Sequence, residues 1–139
     1  MFTFVEEFAA GSGQRHFGFP TGGIDHGETP ARAARRELLE EAKLAAPLSD
    51  VQALLPAGHP GILEVKWSRN RFLPFLALQP ESTPRSGTPE IEESGIRVVS
   101  VDENGAMEML RSGSMFLPSA VTLQLALDWL KSSSAQDGR

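Results

Sequence analysis

Short hydrophobic runs, rich in aromatic and β-branched residues, recur along the chain between turns rich in glycine and proline. Runs of this kind are typical of β-strands. They predict strands or extended segments at 2–8, 16–20, 51–55, 62–67, 72–78 and 96–101. We expect the segments on either side of 68–71 to form a β-hairpin, with Trp67 packed into the core.

A different pattern, with apolar residues three and four positions apart, predicts helices. The first covers Pro30–Ala42, where Thr29 can cap the first turn and Pro30 suits the first helical position. Two more are predicted at 103–111 and at 118–131, followed by a disordered polar tail at 132–139. Because strands and helices are mixed along the chain, the pattern favours an α/β sandwich.

One long segment has no hydrophobic period. Residues 79–95 are rich in proline, serine, threonine and glutamate. Long irregular loops inside a compact domain are often functional, so this segment is a candidate part of a site.

Composition narrows the class of protein. With 139 residues, of which 40% are hydrophobic and 22% are charged, the chain is expected to form one soluble domain over 1–131. The net charge of −5 argues against a stable complex with nucleic acid. The absence of cysteine excludes disulfides and thiol catalysis. Neither a membrane-spanning run nor a secretory signal is recognisable, so we expect a cytoplasmic protein with no membrane partner.

Candidate chemistry is concentrated on the first predicted helix. Glu37, Glu40 and Glu41 stand at positions i, i+3 and i+4, and therefore on one helix face. Like charges at this spacing repel each other, and a hard divalent cation with oxygen ligands would compensate them. The charge pattern alone is equally compatible with a solvated helix that carries an Arg36–Glu40 pair.

The spacing around these carboxylates resembles a known motif. From Gly22, five residues precede Glu28, seven more precede Arg36-Glu37-Leu38, and one more precedes Glu40-Glu41. This is similar to the Nudix box, Gly-x5-Glu-x7-Arg-Glu-U-x-Glu-Glu-x-Gly-U, in which U is aliphatic and corresponds to Leu38 and Leu44. Lys43 stands where the family has its second glycine. A lysine there replaces no metal ligand but is expected to cost on the order of 1 kcal/mol at the helix end.

The resemblance implies a fold, a metal and a reaction. The fold would be a Nudix-type α/β/α sandwich with a mixed β-sheet. The reaction would be hydrolysis of the diphosphate linkage in a nucleoside diphosphate derivative. Mg²⁺, or alternatively Mn²⁺, would be held by the side chains of Glu37, Glu40 and Glu41 and by the carbonyl of Gly22. Arg36 and Glu28 would brace the site, with Arg36 orienting a carboxylate.

The resemblance leaves the general base open. In some family members the base is the box glutamate that corresponds to Glu37. In the branch that cleaves ADP-ribose-like substrates it is a glutamate on a late loop. Here Glu92 and Glu93 are the first candidates on such a loop, and Glu90 is the next. A solubilising acidic loop is the other interpretation.

The substrate is predicted from weaker signals. Pro60, 16 residues after Leu44, and the segment 104–113 resemble the ADP-ribose pyrophosphatase branch, which favours ADP-ribose or a related nucleotide sugar and a homodimer. That branch usually carries an N-terminal β-rich extension that builds the dimer and part of the adenosine pocket, whereas this sequence starts near the first catalytic-domain strand. The protein is therefore expected either to dimerise through another surface or to act on a different substrate. The alternatives are a house-cleaning nucleoside triphosphate pyrophosphatase and a non-catalytic, nucleotide-binding regulatory module.

Overall fold

The computed structural model of the protein describes residues 1–83 and 96–137, and these ranges contain nine strands, three α-helices and one short 3-10 helix, Leu48–Asp50. The helices are α1 (Pro30–Ala42), α2 (Glu103–Arg111) and α3 (Leu117–Asp137). The strands are β1 (Phe2–Ala9), β2 (Gln14–Gly18), β3 (Leu44–Ala45), β4 (Val51–Ala53), β5 (Ile62–Leu63), β6 (Arg71–Phe72), β7 (Phe75–Ala77), β8 (Glu81–Ser82) and β9 (Arg97–Val101).

The sheet around β1 organises the fold. β1 lies between β2 and β9 and pairs antiparallel with both, with Val5 opposite Gly18 on one side and Val98 on the other. The remaining strands form antiparallel pairs β3–β8, β4–β7 and β5–β6. A parallel bridge joins Phe17 to Met115. The predicted α/β class is therefore confirmed.

The main core lies between β1 and the two C-terminal helices. Phe4 is fully buried and packs with a cluster from α2, α3 and the connection between them: Ala106, Met115, Leu123 and Leu127. Val5 is only 2% exposed although it points to the opposite face of the strand, so both faces of β1 are covered. Helix α1 is among the elements that contact β1. This contact brings the predicted catalytic helix against the central strand.

The predicted hairpin is only partly correct. β5 and β6 pair through just two residues each, with Ile62 opposite Phe72, whereas β7 pairs with β4. Pro74 lies between β6 and β7, and because proline has no N–H it interrupts the ladder there. The prediction for Trp67 is wrong: it lies in the β5–β6 connection and is 79% exposed.

The C-terminal prediction also needs correction. Helix α3 continues to Asp137, six residues beyond the predicted end, so residues 132–137 are helical rather than disordered. The Ser132 and Ser134 hydroxyls donate to the carbonyls of Asp128 and Leu130, each at 2.9 Å. A helix can continue through polar residues because its backbone hydrogen bonds do not require an apolar face. The domain boundary at residue 131 stays a prediction.

Among the helices of 1–83 and 96–137, none has the length and apolar character that crossing a bilayer requires.

Lys43 ends α1 in the conformation that normally favours glycine. Its φ and ψ are 56° and 34°, in the left-handed region, and its backbone N–H donates to the Leu39 carbonyl at 3.2 Å. The Lys43 side chain returns to the helix, where Nζ donates to the Glu40 carbonyl at 2.6 Å. The chain therefore keeps the glycine-type helix end despite the substitution.

We expect Lys43→Gly to raise the free energy of unfolding by about 0.5 kcal/mol, because relief of the left-handed strain exceeds the loss of the exposed Nζ hydrogen bond. Urea unfolding measures this difference. Lys43→Ala is the matched control: it keeps the strained backbone and loses the amine, so it should be less stable than the parent. A glycine variant less stable than the parent would contradict the strain argument.

Candidate active site

Arg36 connects the glycine-containing loop to the carboxylates of α1. Its Nε and Nη2 donate to the two carboxylate oxygens of Glu28 at 3.2 and 3.0 Å. Its Nη1 donates to Glu37 at 2.6 Å and to Glu40 at 3.3 Å, while Nη2 also donates to the Gly23 carbonyl at 2.9 Å. The Arg36–Glu40 pair expected for a simple solvated helix is thus one contact of a larger network. The planar guanidinium, with its fork of donors, suits this bracing geometry.

Glu28 ties the loop to the helix. It accepts a bidentate pair from Arg36 and a further hydrogen bond from the backbone N–H of Asp25 at 3.1 Å. The hydrogen bond from Arg36 is the main reason that the pKa of Glu28 is lowered, so this carboxylate stays ionised. The same contacts with Glu28 and Glu37 raise the pKa of Arg36 further above its ordinary value. These contacts are what a bracing role for Arg36 and Glu28 requires.

The need for glycine at position 22 has a direct steric cause. A Cβ built on Gly22 would overlap the carboxylate of Glu37, which is 12% exposed. A Cβ built on the next residue, Gly23, would meet no atom within 4 Å. The missing side chain at Gly22, but not the one at Gly23, is therefore what lets the loop backbone lie directly against Glu37.

Glu41 contacts the backbone just before Gly22, and its surroundings disfavour the ionised form of its carboxylate. Its carboxylate accepts a hydrogen bond from the Thr21 N–H at 2.9 Å. Its pKa is raised, first by burial and then by the negative charges of Glu37, Glu7 and Glu40. Ionised Glu41 therefore lies in a concentration of negative charge that a bound cation would relieve.

The predicted donor set fits a hard divalent cation in its chemistry, because carboxylate and carbonyl oxygens are the ligands that such ions prefer. Glu37 and Glu40 already accept hydrogen bonds from Arg36, and Glu40 is 57% exposed. Within 1–83 and 96–137, no three acidic or histidine side chains are gathered closely enough to hold an ion as they stand. The metal-binding roles of Gly22, Glu37, Glu40 and Glu41 stay predictions.

A cleft of about 980 Å³ lies beside these groups. Such a volume is at the upper end of the range for small-molecule sites. Aromatic and aliphatic side chains form much of its wall, among them Phe19, Leu38, Phe72, Phe75 and Phe116. The polar part of the wall includes Gly22, Gly23, Glu7, Glu37, Glu64 and Arg71, and Pro60 also borders the cleft. The wall of the cleft therefore combines acidic side chains with a large apolar surface that could hold an uncharged group.

The structure adds one residue to the site predicted from the sequence, and three of the predicted residues lie outside the part of the chain that it describes. Glu90, Glu92 and Glu93 lie outside the described residues, so the late-loop prediction is untested. Glu7 was not predicted, although it lines the cleft and its charge affects Glu41. The adjacent pair Glu6-Glu7 within a predicted strand was the available signal, because neighbours in a strand point to opposite faces.

The family model of the NUDIX domain matches residues 3–115. No curated protein matches the chain. Among the solved structures, 33 chains match. One of them, described as "Crystal structure of ADP compounds hydrolase", is 25% identical with a TM-score of 0.63, and the match covers 94% of this chain and 66% of that chain. This chain therefore spans about two thirds of the length of that structural relative. Because the family model covers most of the chain, including the glycine loop, α1 and their arginine-linked carboxylates, the chain belongs to the Nudix family.

Proposed function

We propose that this protein is a pyrophosphohydrolase that cleaves the diphosphate linkage of a nucleoside diphosphate derivative, ADP-ribose or a related nucleotide sugar, with Mg²⁺ or Mn²⁺. The observation that carries the proposal is the position of Gly22 and Glu37 in the wall of the cleft, in direct steric contact and beside largely apolar walls. This arrangement supports a diphosphate beside Gly22 and Glu37 and a nucleoside against the apolar part of the wall.

Each box residue has a role in this proposal. The carboxylates of Glu37, Glu40 and Glu41 and the Gly22 carbonyl would hold the cation. When bound, the cation would supply charge neutralisation at the diphosphate oxygens and acidify the attacking water. Arg36 orients Glu37 through its 2.6 Å contact. Glu28 keeps the loop against the helix through its contacts with Arg36.

The substrate class rests on two supports. Pro60, whose distance from Leu44 in the sequence resembles the ADP-ribose branch, borders the cleft. The solved relative is described as a hydrolase of ADP compounds, which makes an adenine nucleotide the first choice here. A homodimer, a cytoplasmic location and the preference for Mg²⁺ are further predictions from the family resemblance and the composition.

The general base is proposed to be Glu92 or Glu93. We expect Glu92→Gln or Glu93→Gln to lower kcat by about 10²-fold with KM little changed, because general-base catalysis contributes roughly 10²–10⁴-fold. Steady-state kinetics with and without each substitution measure the effect. Glu81→Gln, an exposed change on β8 with the same loss of charge, is the control, and Glu90→Gln tests the third candidate. If none of the three loop variants slows turnover, the base lies elsewhere and Glu37 becomes the leading candidate.

The substrate proposal is tested by a panel of sugar nucleotides, dinucleotides and nucleoside triphosphates, each with Mg²⁺ and with Mn²⁺. Phosphate release after phosphatase coupling reports turnover. We expect ADP-ribose or another ADP-sugar to give the highest kcat/KM. A preference for nucleoside triphosphates would favour the house-cleaning alternative. Nucleotide binding without turnover of any panel member would favour the regulatory module.

A further inference from the structure

Arg71 lies in a cleft whose other charged side chains are acidic. Among the described residues that line this cleft, it is the only arginine, lysine or histidine, whereas Glu7, Glu37 and Glu64 line the same wall. A diphosphate brings further negative charge, and like charges repel each other. An anionic substrate therefore needs cations in this cleft, and Arg71 is the cationic side chain that the described wall supplies.

The Arg71 guanidinium is held by the loop that precedes β5. Its Nη1 donates to the Gly61 carbonyl at 2.7 Å, and the Gly61 N–H donates to Nδ1 of His59 at 3.0 Å. Gly61 has a φ of 97°, and a Cβ built on it would lie 3.0 Å from the Phe72 carbonyl oxygen, so the loop backbone lies directly against β6. Arg71 also stands opposite Leu63 in the β5–β6 ladder. The side chain is therefore oriented before a ligand binds, which lowers the entropy cost of using it.

Most of the hydrogen-bond donors of Arg71 stay available to a ligand. Within 1–83 and 96–137, its guanidinium makes one hydrogen bond, to Gly61, and no ion pair. A guanidinium has several N–H donors, so the others can still bind an anion. Arg36, by contrast, already donates to the carboxylates of Glu28 and Glu37. Arg71 can therefore bind an anion without breaking a protein ion pair, whereas Arg36 cannot.

We propose that Arg71 binds the diphosphate of the substrate, donating from its remaining N–H groups to phosphate oxygens. This inference rests on the proposed function, because it assumes that a nucleoside diphosphate derivative occupies the cleft. The planar fork of an arginine suits a phosphate, to which it can donate two parallel hydrogen bonds. The contact is formed with the bound substrate, so its loss should chiefly weaken binding and leave the chemical step nearly unchanged.

The test combines kinetics with binding. Arg71→Gln should raise KM for ADP-ribose about tenfold with little change in kcat, because it removes a charge-assisted hydrogen bond to the substrate. Arg71→Lys should recover part of the loss, since it keeps the charge but not the fork. Calorimetry without divalent cations should show ADP binding about tenfold weaker to Arg71→Gln, whereas adenosine, which has no phosphate, should bind this variant and the parent alike. Arg69→Gln is the matched control, because Arg69 is exposed in the same β5–β6 connection and does not line the cleft.

The outcomes separate this inference from the proposed function. If the parent hydrolyses ADP-ribose and Arg71→Gln leaves both KM and ADP affinity unchanged, the inference is overturned while the proposed function stands. Equal effects of Arg71→Gln and Arg69→Gln would indicate total charge, and equal weakening of ADP and adenosine would indicate contact with the nucleoside; each overturns the inference. If melting shows that Arg71→Gln is unfolded, Arg71→Lys decides, with a smaller rise in KM expected and an unchanged KM overturning the inference. If the parent neither binds ADP nor hydrolyses any diphosphate, both proposals fail.

Discussion

Glu41→Gln is expected to lower kcat with Mg²⁺ by about 10³-fold, because a catalytic cation supplies several kcal/mol of charge stabilisation and each 1.4 kcal/mol is a factor of ten. Glutamine preserves the size of the side chain, and its amide oxygen can still accept the Thr21 N–H. The loss should therefore reflect the missing charge. Steady-state kinetics over a range of Mg²⁺ concentrations provide the measurement.

Although Glu41→Gln should lower kcat, it should not lower the stability of the metal-free protein. Burial raises the pKa of Glu41, so the folded state binds its proton more tightly than the unfolded state does. The stabilisation from this group is fully present below its unfolded pKa and is lost as the pH rises through the folded pKa. Without metal at neutral pH, Glu41→Gln should therefore melt at the same temperature as the parent or higher.

Glu108→Gln, an exposed change on α2 with the same loss of charge, serves as the control for these measurements. It should change neither kcat nor melting temperature. Turnover of the Glu41 variant within tenfold of the parent would remove Glu41 from the site.

Gly22→Ala is expected to reduce kcat by about 10³-fold with little change in stability, since small displacements of catalytic groups carry large penalties. The added methyl group would occupy the space of the Glu37 carboxylate. A flexible carboxylate can rotate away without disturbing the backbone, so the fold should survive. Glu37 would then leave both Arg36 and its place beside the loop. Kinetics together with thermal melting distinguish this displacement from unfolding.

The neighbouring glycine provides a matched control for this steric argument. A Cβ on Gly23 meets no atom within 4 Å, so Gly23→Ala should retain nearly full activity. Equal losses in the two variants would indicate that the loop needs backbone freedom rather than space for Glu37. Full activity in Gly22→Ala would show that close contact between the loop and Glu37 is not required for turnover.

Short-range sequence patterns were sufficient to predict helices α1 and α2. The bounds of α1 and α2 match the expectation, because caps, helix-forming residues and apolar spacing are all written in short stretches of sequence. A bracing role for Arg36 and Glu28 was predicted from the family resemblance and stays a prediction, and the structure places these two side chains in contact. The pairing of β7 with β4 was not predicted, because strand partners are chosen by packing between segments that are distant in the sequence.

The sequence alone determined that three glutamates share one helix face, that a glycine loop precedes them and that the chain belongs with the Nudix family. These features depend on spacing along the chain, which a helix converts directly into proximity. Only the tertiary structure decided that Gly22 must leave room for Glu37, that Arg36 donates hydrogen bonds to four partners and that Glu7 lies in the wall of the cleft. Those contacts join a loop, a helix and a strand, and they exist because the packing of α1 against β1 brings distant residues within reach of each other.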